Sequence, residues 1–275
     1  MSTNKKPVNL HFAAEALYDV ERARIASEGR LRSIIREELT SQGRNPNEIK
    51  EPAGKKLTAW AAAKMPSLDI YTLHTDALLG VEHSTELVLK GALRATPFGP
   101  WVKAQKGVGE KQAARLLAAI GDPLWNDLAQ RPRRGPAELW QYCGHGDPAR
   151  SKRPRRGSGS KMEYSPNAKM RAHMVAKSAQ KSGIRKLDGC DDTGGYDLEH
   201  REAITPLGAV YLKARVNKAG FIHDKPCQIC AGKGKPAESA IGQPWKDGHA
   251  LAHSLRLTAK EMLKDLFIEA KRLGA

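Results

Sequence analysis

The chain has 275 residues, a length that normally holds one large or two modest domains, and 46 Lys and Arg against 30 Asp and Glu give a net charge of +16. That balance favours a polyanionic partner, nucleic acid ahead of a membrane. No apolar run approaches a membrane span, and the opening MSTNKKPVNL has no signal-peptide core, so a cytoplasmic location is expected. Four cysteines, two of them as CxxC, fit a reducing compartment and suit a metal better than a disulfide framework, and the low aromatic share (5%) beside abundant Ala, Leu, Lys and Arg predicts a mainly α protein. Residues 1–100 carry 14 basic against 12 acidic side chains, and residues 101–275 carry 32 against 18, which places the partner surface in the C-terminal part.

Residues 1–10 read as a disordered start. The spacing of Leu17, Val20, Ile25, Leu31, Ile34, Ile35 and Leu39 predicts a long helix over 13–39, with Glu21, Arg22, Arg24, Glu28, Arg32 and Arg36 on its other face. Such a mixed-charge helix is one arm of a helical hairpin or a self-association surface. After a loop at 41–56, shorter helices are predicted at 57–64 and 67–90, the second carrying Ile70, Leu73, Leu78, Leu79, Val81, Leu87 and Val88. Residues 1–95 therefore read as a helical scaffold, with a homodimer through these helices expected.

A rigid elbow at 96–100 leads into WVKAQKGVGEKQAARLLAAI (101–120), around which residues 96–275 are organised. A short helix ends near Gln105, Gly107-Val108-Gly109 turns, and a second helix begins at Glu110 with Ala113, Leu116, Leu117 and Ile120 at helical spacing. This stretch resembles the helix-hairpin-helix motif of DNA-binding proteins at every position of its glycine-apolar-glycine hairpin. The resemblance implies that backbone N–H groups and the positive end of the second helix hold one phosphate. Lys103, Lys106, Lys111 and Arg115 supply charge around it. The plain alternative is a turn that only joins two packed helices.

Next come a short helix at 136–142 and a basic, Gly-rich loop at 143–167. The loop holds Arg150, Lys152, Arg153, Arg155, Arg156 and Lys161, a composition that suits an arm tracking a nucleic-acid backbone or a solvated run. A helix at 166–181 displays Lys169, Arg171, Lys177 and Lys181 as a second phosphate-facing surface. Residues 184–206 read as an irregular excursion, followed by helices at 207–217 and 249–272.

Between those last helices, within 220–253, Cys227 and Cys230 form a CxxC knuckle, and His249 and His253 follow at i, i+4 on one helix face. The pattern C-x2-C-x18-H-x3-H suits structural Zn2+, with His223 and Cys190 as spare ligands. The alternative is a reduced pair of loop cysteines beside unrelated histidines. No βαβ pattern supports a redox CxxC.

The ordered series TPFGPW, GVGEKQAARLLAAIGDP, ELWQYCGHGDPARSKRPRRGSG, YSPNAKMRAHMVAKSAQKSG and DGHALAHSLRLTAKEMLKDLF resembles the C-terminal domain of Piv/MooV-type insertion-sequence transposases. It is closer still to stand-alone phage and archaeal proteins that keep only that domain. The resemblance implies a catalytic serine in the SG context, which here falls on Ser158 with Ser160 nearby. The family also needs a RuvC-like domain with four acidic metal ligands, and the N-terminal half departs from it: Asp19, Asp69 and Asp76 sit in helical patterns. The expectation is thus a non-catalytic DNA-binding protein of a phage or mobile element in a bacterial cell. It would be accessory to recombination, replication or repair, with a recombinase as a further partner. The alternatives are a divergent recombinase or nuclease using Ser158 or Ser160, and a module for structured RNA.

Overall fold

The computed structural model describes residues 9–45, 55–154, 157, 159, 161–193 and 196–274. The chain is mainly helical and divides into two compact units, Met1–Ala95 and Thr96–Ala275.

In the N-terminal unit, Asn9 caps α1 (Leu10–Ser41), its side chain accepting from the N–H groups of His11 and Phe12 at 2.9 and 3.3 Å. A short α2 (Lys55–Lys64) and a 3-10 turn lead to α3 (Asp69–Arg94), which packs along α1. Ser27 meets Thr75 at 2.8 Å and Arg24 pairs with Glu82, a register that makes α1 and α3 antiparallel. Leu31, Ile35, Leu39, Leu57, Ala61, Met65 and Leu68 form the apolar core beside that polar contact. The packed face of α3 is set by Thr72, Thr75, Leu89, Ala92 and Leu93, whereas Ile70, Leu73, Val81, Leu87 and Val88 are exposed.

The C-terminal unit is built on α7 (Pro166–Gly183). Ser165 caps it and Pro166 opens it. Ala168, Ala172, Ala176 and Ala179 give it a face of small residues against which α5 (Glu110–Ile120), α8 (Pro206–Val216) and α10 (Asp247–Leu273) pack. The closest approach is between Gly183 and Gly208, where a Cβ on Gly208 would stand 2.0 Å from the Gly183 carbonyl oxygen. Two preceding elements complete the frame, α4 (Gly99–Ala104) and α6 (Pro136–Tyr142). Trp140 of α6 donates its indole N–H to the Lys260 carbonyl of α10 at 2.8 Å. The core between them holds Leu116, Ile120, Leu139, Tyr211, Leu255, Leu263 and Leu266.

Two hairpins are additions to the helical expectation. Strands β1 (Trp125–Asn126) and β2 (Arg131–Pro132) pair beside α6. Within 184–206, read above as irregular, β3 (Ile184–Lys186) pairs antiparallel with β4 (Arg201–Ala203), Arg185 opposite Glu202. The intervening loop is drawn together by Asp192, which accepts from Lys186 and Arg201, and by Asp197, which accepts from the Asp191, Glu199 and His200 N–H groups. Those donors hold both carboxylates below the usual range. No described helix is long and apolar enough to cross a membrane.

Candidate metal centre and nucleic-acid interface

The helical pair α4–α5 is joined by the predicted turn. Gly107 has φ +85°, a conformation other residues rarely adopt, and its carbonyl accepts from Ser178 Oγ of α7 at 3.3 Å. Val108 is buried as the plug of the angle. Gly109 is exposed, stands extended (φ −72°, ψ 136°) as the N-cap of α5, and no side chain caps that helix. The first N–H groups of any helix lack intrahelical acceptors and carry the positive end of its dipole. Lys103 and Lys106 are exposed beside the turn and Lys111 is half-buried. Glu110 in the first turn offsets part of this charge.

Arg115 is a correction. It is only 6% exposed, because α5 is buried on that side as well as along its apolar stripe, so it does not stand on the surface as a phosphate ligand.

In the basic loop, Arg150, Lys152, Arg153 and Lys161 are exposed, with Arg150 paired to an equally exposed Glu163. Such a pair is worth little and opens easily to another anion. Arg155, Arg156, Ser158 and Ser160 lie outside the described residues. Arg171 is half-buried on α7, and Lys169 folds back from the surface, its ammonium on the Ser151 carbonyl at 2.7 Å and over the Tyr164 ring at 4.6 Å.

The cysteine segment closes on itself more tightly than its sequence suggests. Cys227 donates its N–H to the Ala237 carbonyl at 2.9 Å and starts the single turn α9 (Gln228–Ala231), which ends at Gly232 with φ +95°. Residues 221–223 run beside 242–245 through an antiparallel bridge at Ile222 and Pro244, and the His223 and Gln243 backbones are bonded at 3.0 Å. His223, Cys227, Cys230 and His249 therefore converge, their ligand atoms all within 4.8 Å of one another.

His249 Nδ1 stands 3.5 Å from Cys227 Sγ and 3.4 Å from Cys230 Sγ. Bond lengths of about 2.3 Å to sulfur and 2.0 Å to nitrogen put these atoms roughly 3.5 Å apart around a tetrahedral ion, so the spacing fits. Cys230 Sγ also receives the Lys246 N–H at 3.5 Å, and His223 Nε2 is buried with no hydrogen-bond partner. Burial and the neighbouring His223 and Lys218 lower the His249 pKa, which favours the neutral ligand form. The arrangement can hold a metal ion.

His253 is the second correction. It shares a helix face with His249, but the knuckle sits over the first turn of α10, and His253 one turn on packs edge-on against Trp245 at 5.5 Å. The fourth member of the cluster is His223, four residues before Cys227, and an H-x3-C-x2-C spacing was the signal for it. Cys190 is not in the cluster. Trp245, which the sequence reading passed over, stacks on His249 at 4.0 Å and walls the site. Cys143 is buried and its thiol is pushed up to about 12, which keeps it protonated and inert.

No protein-family model matches the chain, and neither a curated protein nor a solved structure matches it.

Proposed function

We propose that this chain is a non-catalytic, mainly helical DNA-binding protein that holds the sugar–phosphate backbone and serves a phage or mobile element. The single observation that carries the reading is the Gly107–Gly109 turn: a positive-φ glycine delivers an extended, exposed Gly109 to an uncapped helix start flanked by Lys103, Lys106 and Lys111. A phosphate seated there positions a protein on a duplex without reading its sequence. Arg150, Lys152, Arg153 and Lys161 add a second run of contacts, so binding depends steeply on salt. The role in recombination, replication or repair comes from the resemblance to the transposase domain.

The metal in this reading is structural Zn2+ on His223, Cys227, Cys230 and His249, since two thiols and two imidazoles are a zinc donor set and all four positions are taken by protein. A second copy is the partner proposed for the N-terminal unit, whose exposed Ile70, Leu73, Val81 and Val88 lie at helical spacing on α3.

Fluorescence anisotropy with a duplex across a salt series tests the reading. Gly109→Glu is the informative variant: its φ is already that of an ordinary residue, and a Cβ there meets only Ser178 Oγ at 3.9 Å. Gly107→Glu would strain the backbone as well.

A further inference from the structure

A second feature lies where the basic loop leaves α6. A cavity of about 260 Å³ opens between that loop, α7 and α10, lined among others by His145, Ser151, Lys169, His173 and Arg256. Three elements thus bring a lysine, an arginine and two imidazoles to one small space, and no Asp or Glu is among the residues lining it. The geometry points to a pocket for one phosphate group of a bound nucleic-acid strand, held by Lys169 and Arg256 with His145 and His173 beside them.

The cations are fixed in place by neutral groups alone. Arg256 donates to the carbonyls of His145, at 3.3 Å, and Gly146. Lys169 is set by the Ser151 carbonyl, by the Tyr164 ring and by Gly144, where a Cβ would lie 2.5 Å from the lysine Cδ. Gly144 has φ +64°, so the notch that admits the lysine stem is built into the turn. Partly buried cations are ordinarily matched by an acid. Here the match is left to carbonyl dipoles, and Lys169, His145 and His173 are all shifted down, by burial first and then by neighbouring cations: Arg256 for Lys169, Lys169 with His173 and Arg256 for His145, and Lys177 one turn on for His173. His145 and Ser151 are 6% and 8% exposed, and His145 Nε2 and Ser151 Oγ have no hydrogen-bond partner. An anion carrying several acceptor oxygens answers the charge and the open hydrogen-bonding capacity together.

A phosphate is the class that fits, because the pocket adjoins the basic loop assigned above to the nucleic-acid backbone; the identity of its source rests on that reading. Titration of the full chain with inorganic phosphate by calorimetry at low ionic strength tests the pocket itself. The wild type is expected to bind phosphate in preference to chloride. Lys169→Gln and Arg256→Gln should each weaken it by roughly tenfold or more, and Lys213→Gln, exposed on α8 and not among the residues lining the pocket, should leave it unchanged. Should Arg256→Gln lose its fold by freeing two carbonyls, Lys169→Gln and His173→Asn carry the comparison.

Duplex binding by the same variants separates the sources. A salt slope reduced by about one in Lys169→Gln places a strand phosphate in the pocket. An unchanged slope beside lost phosphate binding makes the pocket one for free phosphate and overturns the strand assignment. A wild type that binds phosphate no better than chloride overturns the pocket, even where duplex binding persists. Phosphate binding without duplex binding sinks the proposed function and not the pocket.

Discussion

Replacing Cys230 by Ala should release the segment 221–246 while leaving α10 packed. The knuckle's own apolar cluster is Cys230, Ala231 and Ala240 with Cys227 against it, small side chains that stabilise by about 1 kcal/mol each. Ordering the backbone costs about 1 kcal/mol or more per residue, so these contacts and the Trp245 stack cannot hold such a segment alone. Coordination of a structural zinc contributes on the order of 10 kcal/mol, enough to decide the matter. Helix α10 rests on different support: Leu255, Met262, Leu263, Leu266 and Phe267 are each at most 3% exposed, and burial of such side chains stabilises by about 2 kcal/mol apiece. Amide hydrogen exchange separates the two regions. With Cys230→Ala, or with a strong chelator, protection at residues 227–231 should fall at least about a hundredfold while the second half of α10 changes little. Wild-type protein should carry one zinc per chain by elemental analysis. Unaltered protection of the knuckle in Cys230→Ala would refute this reasoning.

Three further outcomes are expected. Gly208→Ala should destabilise by about 3 kcal/mol in urea unfolding, since its methyl would meet the Gly183 carbonyl at 2.0 Å, whereas Gly248→Ala has nothing within 4 Å and should be neutral or slightly stabilising. Burial, reinforced by Lys169, His173 and Arg256, lowers the His145 imidazole to about 4 from 6.5. The unfolded chain therefore binds the extra proton between those values, so this contribution is complete above pH 6.5 and is lost as pH falls, by about 3 kcal/mol at pH 4. His145→Gln should remove that part of the acid sensitivity, and parallel decline in both proteins would contradict the assignment. For the N-terminal unit, light scattering should give twice the chain mass, with Val81→Glu/Val88→Glu returning it to one.

The helices were legible because apolar residues recur at helical spacing and glycine, proline and capping residues punctuate them. Pro136 and Tyr142 bound α6 as expected, and Glu110 opens α5. Strands of two or three residues, such as Ile184–Lys186, are too short to show alternation, so pairing with Arg201–Ala203 left no sequence signal. Helical period also misassigned faces where a polar contact sets the packing. Ser27 bonds Thr75, and α3 buries Thr72 and Thr75 on that side while presenting Ile70 and Leu73 to solvent. The cysteine pair and His249 were readable as one site, but the fourth place was not settled: His253 is close to His249 along a helix, and His223, read only as a spare ligand, is brought in by the bridge between Ile222 and Pro244. Arg115 failed for a related reason, since charge alone does not say that α5 is buried on that side too.

The most direct test of the central claim is duplex binding by wild type and Gly109→Glu across a salt series, with melting curves to show that both are folded. A wild type that binds with a steep negative salt slope, and a folded variant at least about tenfold weaker with a shallower slope, is the predicted result. Equal affinity and equal slope in the two proteins would contradict the claim that the Gly107–Gly109 turn holds a backbone phosphate.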